Sequence, residues 1–571
     1  MMKLNYLYLF FLLVSCNSAK NVSTISEIDP YNYAIDKRVE VANGAVVSAH
    51  PLASKAGVLM LQKGGNAVDA AIATQWALAV VYPGAGNIGG GGFMVAQLKD
   101  GNRIALDYRE AAPGAAHRDM YLDKEGNAID AKSRNGHLAA GVPGTVAGLF
   151  ESLRYAKLPM SVLIQPAIDM AEKGFVLTER EAKSLNRYKD DFTKYNTQTP
   201  AFVTPAKWNE GDTLVQKDLA NTLKRIQQYG AKGFYEGETA RLFIAEMKRG
   251  NGIITLADLK NYKAKSRQPL SFSYRGHELI GMPMPSSGGL LLNQMLKMTE
   301  PFNIGAMGFQ TPASVQLMTE IERRAYADRA KYMGDADFYK VPVEELRSDT
   351  YLKSRMADYK PGVAGSSTIT KEGIIPGYES EETTHLSVID KEGNAVAVTT
   401  TLNGGYGSRT VVGGAGFLLN NEMDDFSAKP GSPNMFGAVG GKANAIAPGK
   451  RMLSSMAPTI VLKDGKPYLV IGTPGGTTIP TSVYQTVVNI IDFNLNTEDA
   501  VNKPKFHHQW LPDRIDVEDG FNDNTRQALE KMGYKVRIRG AYSRTEVIKV
   551  LPNGKFEAVA DNRGDDAAAG Y

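Results

Sequence analysis

Polar and apolar residues alternate from His385 to Asp390, and β-rich sequence resumes from Ala395 to Thr401 after the turn residues Lys391-Glu392-Gly393-Asn394. A period of two on both sides of a Gly-containing turn predicts a β-hairpin. Upstream, the alanine-rich run ending at Val81 reads as a helix with Asn66 at its N-cap and Asp69 in its first turn. Strand-like stretches follow at Phe93-Met94-Val95 and from Ile104 to Tyr108. Helical patterns cover Thr145 to Tyr155 and Pro312 to Arg329, so residues up to about 380 mix helices with strands. After residue 383 strand signals dominate until the apolar run Tyr468 to Ile471 meets Gly475-Gly476. A helix from Thr477-Thr478 through Val483 to Phe493 is predicted next, and another from Thr525 to Met532.

The open end of the hairpin carries Thr383-Thr384. Pairing Asp390 with Ala395 sets Thr383 beside Leu402 and Thr384 beside Thr401. In that register Thr383 and Thr401 point to opposite faces. Contact between their hydroxyls then requires a one-residue bulge; in the unbulged ladder Thr401 reaches the backbone nitrogen of Thr383 instead. A threonine hydroxyl is a poor nucleophile without an adjacent base. Cleavage of the Glu382-Thr383 bond would create one, because a free α-amine has a reference pKa of about 7.7 to 8.0.

Composition narrows the classes. Hydrophobic content of 43% and charged content of 22% over 571 residues are those of a globular protein with a sizeable core. A net charge of +4 with no basic run argues against nucleic acid as a partner. Of seven histidines only His507-His508 are adjacent, and Cys16 is the single cysteine, so metal-ligand spacing is missing and neither metal nor cofactor is expected. Gly84 to Gly89 fits G-x-G-x-x-G, but it follows a helix and leads into a strand, the reverse of the dinucleotide-binding order. His385 lies beside the threonine pair, yet no G-x-S-x-G elbow accompanies it, and it reads as a packed strand residue. Arg563-Gly564-Asp565 reads as structural.

The chain resembles the γ-glutamyltranspeptidases, or glutathione hydrolase proenzymes, from about Val41 to Tyr571. The matching blocks are Gly64 to Ala71, Gly86 to Met94, Asp107-Tyr108-Arg109-Glu110, Thr383-Thr384-His385, Asn421 to Gly431, Leu453 to Met456 and Gly472 to Gly476. The resemblance implies an α/β N-terminal-nucleophile hydrolase, an αββα sandwich in one intertwined body. It implies self-cleavage before Thr383, giving a large subunit from 37 to 382 and a small one from 383 to 571 that stay together as a heterodimer. Thr383 would attack the γ-amide of glutathione or another γ-glutamyl compound, with Thr401 beside it, and pass the acyl group to water, an amino acid or a dipeptide. Arg109, with Ser454 and Ser455, would clamp the donor α-carboxylate. Asn403, Glu422 and Asp425 would hold its ammonium, and Gly475-Gly476 would form the oxyanion hole at a helix start. Many relatives carry Gln at the Glu422 position. The stretch Lys429 to Pro448 is long enough for a lid, and Phe436 replaces a tyrosine common there, so covering survives without a phenolic hydrogen bond.

Two rival readings remain. A glutaryl acylase of the same fold needs no ammonium site, and a non-catalytic peptide-binding lipoprotein needs no nucleophile. At the N-terminus, Lys3 precedes an apolar run from Leu4 to Val14 too short to span a bilayer, and Leu13-Val14-Ser15-Cys16 has the form of a bacterial lipobox. The expectation is a signal peptide over 1–15, lipid on Cys16, a polar tether over 16–36, and a periplasmic enzyme held to a membrane by that lipid alone.

Overall fold

A computed structural model describes residues 26–370, 383–429, 434–435, 437 and 440–571. Cys16, Glu382 and Phe436 lie outside them. Two seven-stranded antiparallel sheets form the centre of the protein. The first runs in the order Ala567–Gly570, Gly44–Ser48, Thr384–Asp390, Ala395–Thr401, Gly91–Gln97, Arg103–Asp107, Lys265–Arg267. The second runs Arg38–Val41, Phe556–Val559, Glu546–Val550, Lys466–Gly472, Thr459–Lys463, His277–Gly281, Leu270–Tyr274. Strands from either side of Thr383 therefore interleave in both sheets.

The period of two sorts side chains between layers. Val46, Met94, Leu386 and Val388 face the helices Pro51–Gln62 and Ala67–Val81, whereas Val47, Phe93, Val95, Ile389 and Ala397 face the second sheet. The helices Gly288–Thr299 and Thr478–Ile491 cover the far side of that sheet, completing the αββα order. Because the first sheet is covered on both faces, its central strands are buried along their whole length. Burial of each Leu, Val or Ile there contributes about 1.5–3 kcal/mol.

The expected helix starts at Ala67 with Asn66 at its N-cap, and Asp69 returns a bond to the Asn66 N–H, closing a capping box. Other elements agree with the sequence patterns to within a few residues, as at Pro312–Tyr332 and Asp523–Lys531. Two expectations change. Between Thr401 and Thr459 the described residues form only isolated bridges and two short 3-10 turns, because this Gly-, Pro- and Asn-rich segment wraps the site instead of pairing. Part of the supposed tether is docked: Tyr31 donates to Asp169, Lys55 to the Asn32 carbonyl, and the Tyr33 ring packs edge-on against His50.

The hairpin register also differs by one residue. Ile389 pairs with Ala395 and Thr384 with Thr400, while Asp390 N–H donates to Asn394 O. The cause is the Asp390 carboxylate, which accepts from Glu392 N, Asn394 N and Asn394 Nδ2 and so tightens the turn, with Gly393 at φ +86°. It also accepts from Ala67 N at the helix start. The ladder then carries Thr383 and Thr401 onto one face, and no bulge is needed. Asp390→Ala should cost about 3 kcal/mol, since several charge-assisted bonds are lost at once. Thermal unfolding reads that loss; processing at Thr383 should slow as well, and an unaltered melting temperature would show that the turn does not depend on Asp390.

Candidate active site

Thr383 and Thr401 are both nearly fully buried, and their Oγ1 atoms stand 3.5 Å apart. That is too long for a strong O–H···O bond. Thr401 Oγ1 also accepts from Asn403 N at 2.7 Å, which fixes its rotamer and bends the chain into Asn403 at φ +76°. Glycines behind this pair explain the rejected nucleotide pattern. A Cβ on Gly90 would come 2.1 Å from Thr401 O, and one on Gly89 would come 2.0 Å from Leu418 O. Asn87 ties the same region down, donating to Thr401 O and accepting from Gly90 N.

One cavity gathers Thr383, Thr401, Arg109, Asn403, Glu422, Asp425, Ser454, Ser455 and Gly476. Gly475 does not line it. The cavity is small, about 20 Å³. Arg109 follows the strand Arg103–Asp107 and lines this cavity. Its Nη1 lies 2.5 Å from Glu422 Oε2 and 3.4 Å from Glu110 Oε2, and its Nη2 contacts Asp425 Oδ2. Burial works against the guanidinium charge, yet Glu422, Asp425 and Glu110 outweigh it and hold Arg109 above its ordinary range. Burial likewise pushes Glu422 well above the usual carboxylate value; Arg109 pulls it back, while Glu110 and Asp425 push it further. Asp425 is raised by burial against the pull of Arg109 and Arg329. The guanidinium expected to hold a donor's α-carboxylate and the acids expected to hold its α-ammonium are thus paired with each other.

The remaining groups are placed by short local structures. Glu422 and Asp425 sit on the 3-10 turn Glu422–Asp425. Asn403 donates from Nδ2 to Asn421 O and lines the cavity. Gly475 and Gly476 have φ of +131° and +53° and precede the helix Thr478–Ile491, whose first turn donates Thr478 N to Gly475 O and Ile479 N to Gly476 O. From the Lys429 to Pro448 stretch, Asn434 Nδ2 donates to Asp425 Oδ1 at 2.9 Å and Met435 N donates to Asp424 Oδ2 at 2.7 Å. Burial pushes Asp424 up to about 6, against a bond from Ser133 and the charge of Arg134. Asn434 and Met435 of that stretch therefore lie against the acids themselves.

His385 is held between Thr399 Oγ1 and Ser387 Oγ, and burial lowers it to about 3, so it stays neutral. It packs against Gly472, where a Cβ would come 2.2 Å from the ring. His507 and His508 bond to Thr481, Gln509 and Asp513. Among the described residues no group of three His, Cys, Asp or Glu side chains is arranged to hold a metal, and no helix is long and apolar enough to cross a membrane. Arg563 pairs with Asp561 and Glu518, consistent with a structural tripeptide. Sequence reading missed Arg329, Asn434 and Thr477, which also line the cavity. Pro312–Tyr332 carries charge on all its faces, which does not single out Arg329, and the structure buries much of that charge.

Several known proteins are similar to this chain. The family model described as gamma-glutamyltranspeptidase matches residues 53–571. The glutathione hydrolase proenzyme of Escherichia coli is 46% identical over 554 residues, covering 95% of each chain. The solved gamma-glutamyltranspeptidase of Helicobacter pylori is 45% identical with a TM-score of 0.56, over 60% of this chain and 97% of that one. The cephalosporin acylase of Bacillus halodurans superposes with a TM-score of 0.81 at 27% identity, over 95% of this chain and 99% of that one.

Proposed function

The chain belongs to the γ-glutamyltranspeptidase family of N-terminal-nucleophile hydrolases, and we propose that it is a self-processing γ-glutamyl hydrolase and transferase whose nucleophile is Thr383. In the precursor, Thr383 Oγ attacks the Glu382 carbonyl, the acyl group shifts from nitrogen to oxygen, and water hydrolyses the ester. Residues 37–382 and 383–571 become the two subunits. The freed α-amine then takes the hydroxyl proton as Oγ attacks the γ-amide of glutathione or another γ-glutamyl donor. Backbone N–H groups of Gly475 and Gly476 meet the oxyanion. The leaving amine departs protonated, and the γ-glutamyl ester passes to water or to the amine of an amino acid or dipeptide.

The observation that carries this reading is the ion cluster beside the nucleophile. A donor with both an α-carboxylate and an α-ammonium can insert between Arg109 and its acids, giving the carboxylate to Arg109, Ser454 and Ser455 and the ammonium to Glu422, Asp425 and Asn403. Every buried charge stays paired through that exchange. A glutaryl donor has no ammonium and would leave buried acids uncompensated. The purified protein should therefore cleave a γ-glutamyl anilide at least about a hundredfold more efficiently than a glutaryl anilide. Glycylglycine should raise anilide release if transfer occurs. Equal turnover of the two anilides would favour the acylase instead, and turnover of neither would overturn the reading.

The N-terminal sequence supports export and a lipid anchor at Cys16. Cys16→Ser should abolish partitioning into detergent while leaving activity intact; equal fatty-acid labelling of both proteins would exclude the anchor.

A further inference from the structure

A second guanidinium stands at the same cavity, and its partners are unlike those of Arg109. Arg329 lies near the end of helix Pro312–Tyr332 and is 7% exposed. Its Nη2 donates to Ser455 Oγ at 3.0 Å and its Nε to Ser287 Oγ at 3.1 Å. Among the described residues no carboxylate lies within ion-pair distance of it. Burial pulls its charge below the ordinary arginine range, opposed by Tyr326 and by Asp425 at longer reach. Even so, an arginine stays protonated. A buried cation facing only hydroxyls is costly unless an anion arrives.

The hydrogen-bond polarity makes the arrangement specific. A guanidinium donates and never accepts, so Ser455 Oγ must accept from Arg329 and has its own proton free to give. Ser287 is fixed in the same way: it accepts from Arg329 and donates from Oγ to Ser454 O at 2.7 Å, while Ser287 N also donates to Ser454 O at 2.8 Å. One side chain thus sets the backbone of Ser454 and the proton direction of Ser455.

Resting on the γ-glutamyl reading above, we infer that Arg329 is a positioning residue for the donor α-carboxylate: it turns Ser455 into an obligate donor and supplies the second positive charge of that subsite. Arg109 exchanges the acids for the ligand, whereas among the described residues Arg329 has no acid to give up.

The test compares wild type, Arg329→Gln and Arg329→Lys on γ-glutamyl-4-nitroanilide and on 4-aminobutyryl-4-nitroanilide, which lacks the α-carboxylate. Arg329→Gln should raise KM for the γ-glutamyl donor at least about tenfold with kcat changed less than about threefold. Its kcat/KM on the decarboxylated donor should match that of wild type, and Arg329→Lys should recover part of the KM. Equal losses on both donors, an unchanged KM, or failure of both variants to process would overturn the assignment, leaving Arg329 a structural residue. Wild type inactive on the γ-glutamyl donor would instead remove the functional reading on which the assignment rests.

Discussion

Thr383→Ala should appear as one uncut band and release no anilide, a loss of at least about 10⁴-fold, because one oxygen serves both the cleavage that frees the α-amine and the acyl transfer that uses it. The variant should still fold. Thr383 lies at the open end of the ladder, where losing one methyl and one hydroxyl removes little packing from a sheet held by Leu386, Val388 and Ile389. Thr383→Ser keeps the oxygen but not the methyl that restricts χ1, so it should process slowly and keep reduced activity. Denaturing electrophoresis and anilide release decide both cases. Activity in an uncut Thr383→Ala protein would remove the threonine from the mechanism.

Arg109→Ala has the next largest expected effect, and the structure changes what it should do. As a ligand fork alone, Arg109 would matter only to the donor, through a charge-assisted bond of about 1.5–3 kcal/mol and a KM raised at least about tenfold. It also neutralises Glu110, Glu422 and Asp425 in a buried site. Removing one partner of a buried ion cluster costs about 3–5 kcal/mol, so the variant should melt earlier as well as bind poorly. The sign with pH follows from Glu422 and Asp425, whose carboxyl pKa values burial already raises. Without Arg109 they rise further, so the folded state binds more protons than the unfolded one. The stability deficit of Arg109→Ala should therefore shrink as pH falls and the carboxyls become neutral. Melting temperatures across pH check this, and a deficit that grows toward acid would contradict the neutralising role. Processing to two subunits should persist.

Much of the architecture was legible because it depends on local pattern. The alternation around His385 to Thr401 and the Asn66 cap are decided by neighbours in sequence, and both appear where expected. The register was not legible, since it turns on the Asp390 carboxylate collecting N–H groups from the turn and from Ala67, a distant helix start. Of the site, the resemblance supplied the residues, and the cavity brings together all of them except Gly475. It did not reveal that Arg109 and the acids close on each other. Periodicity did not reveal Arg329, because its role depends on Ser455 and Ser287, which reach it from loops far away in sequence.

The most direct test of a self-made threonine nucleophile is mass spectrometry of protein quenched during turnover of a γ-glutamyl donor. The expected result is a small subunit whose first residue is Thr383, with one γ-glutamyl group on the peptide that begins there. A small subunit beginning at any other residue, or the acyl group on a peptide that lacks Thr383, would contradict it.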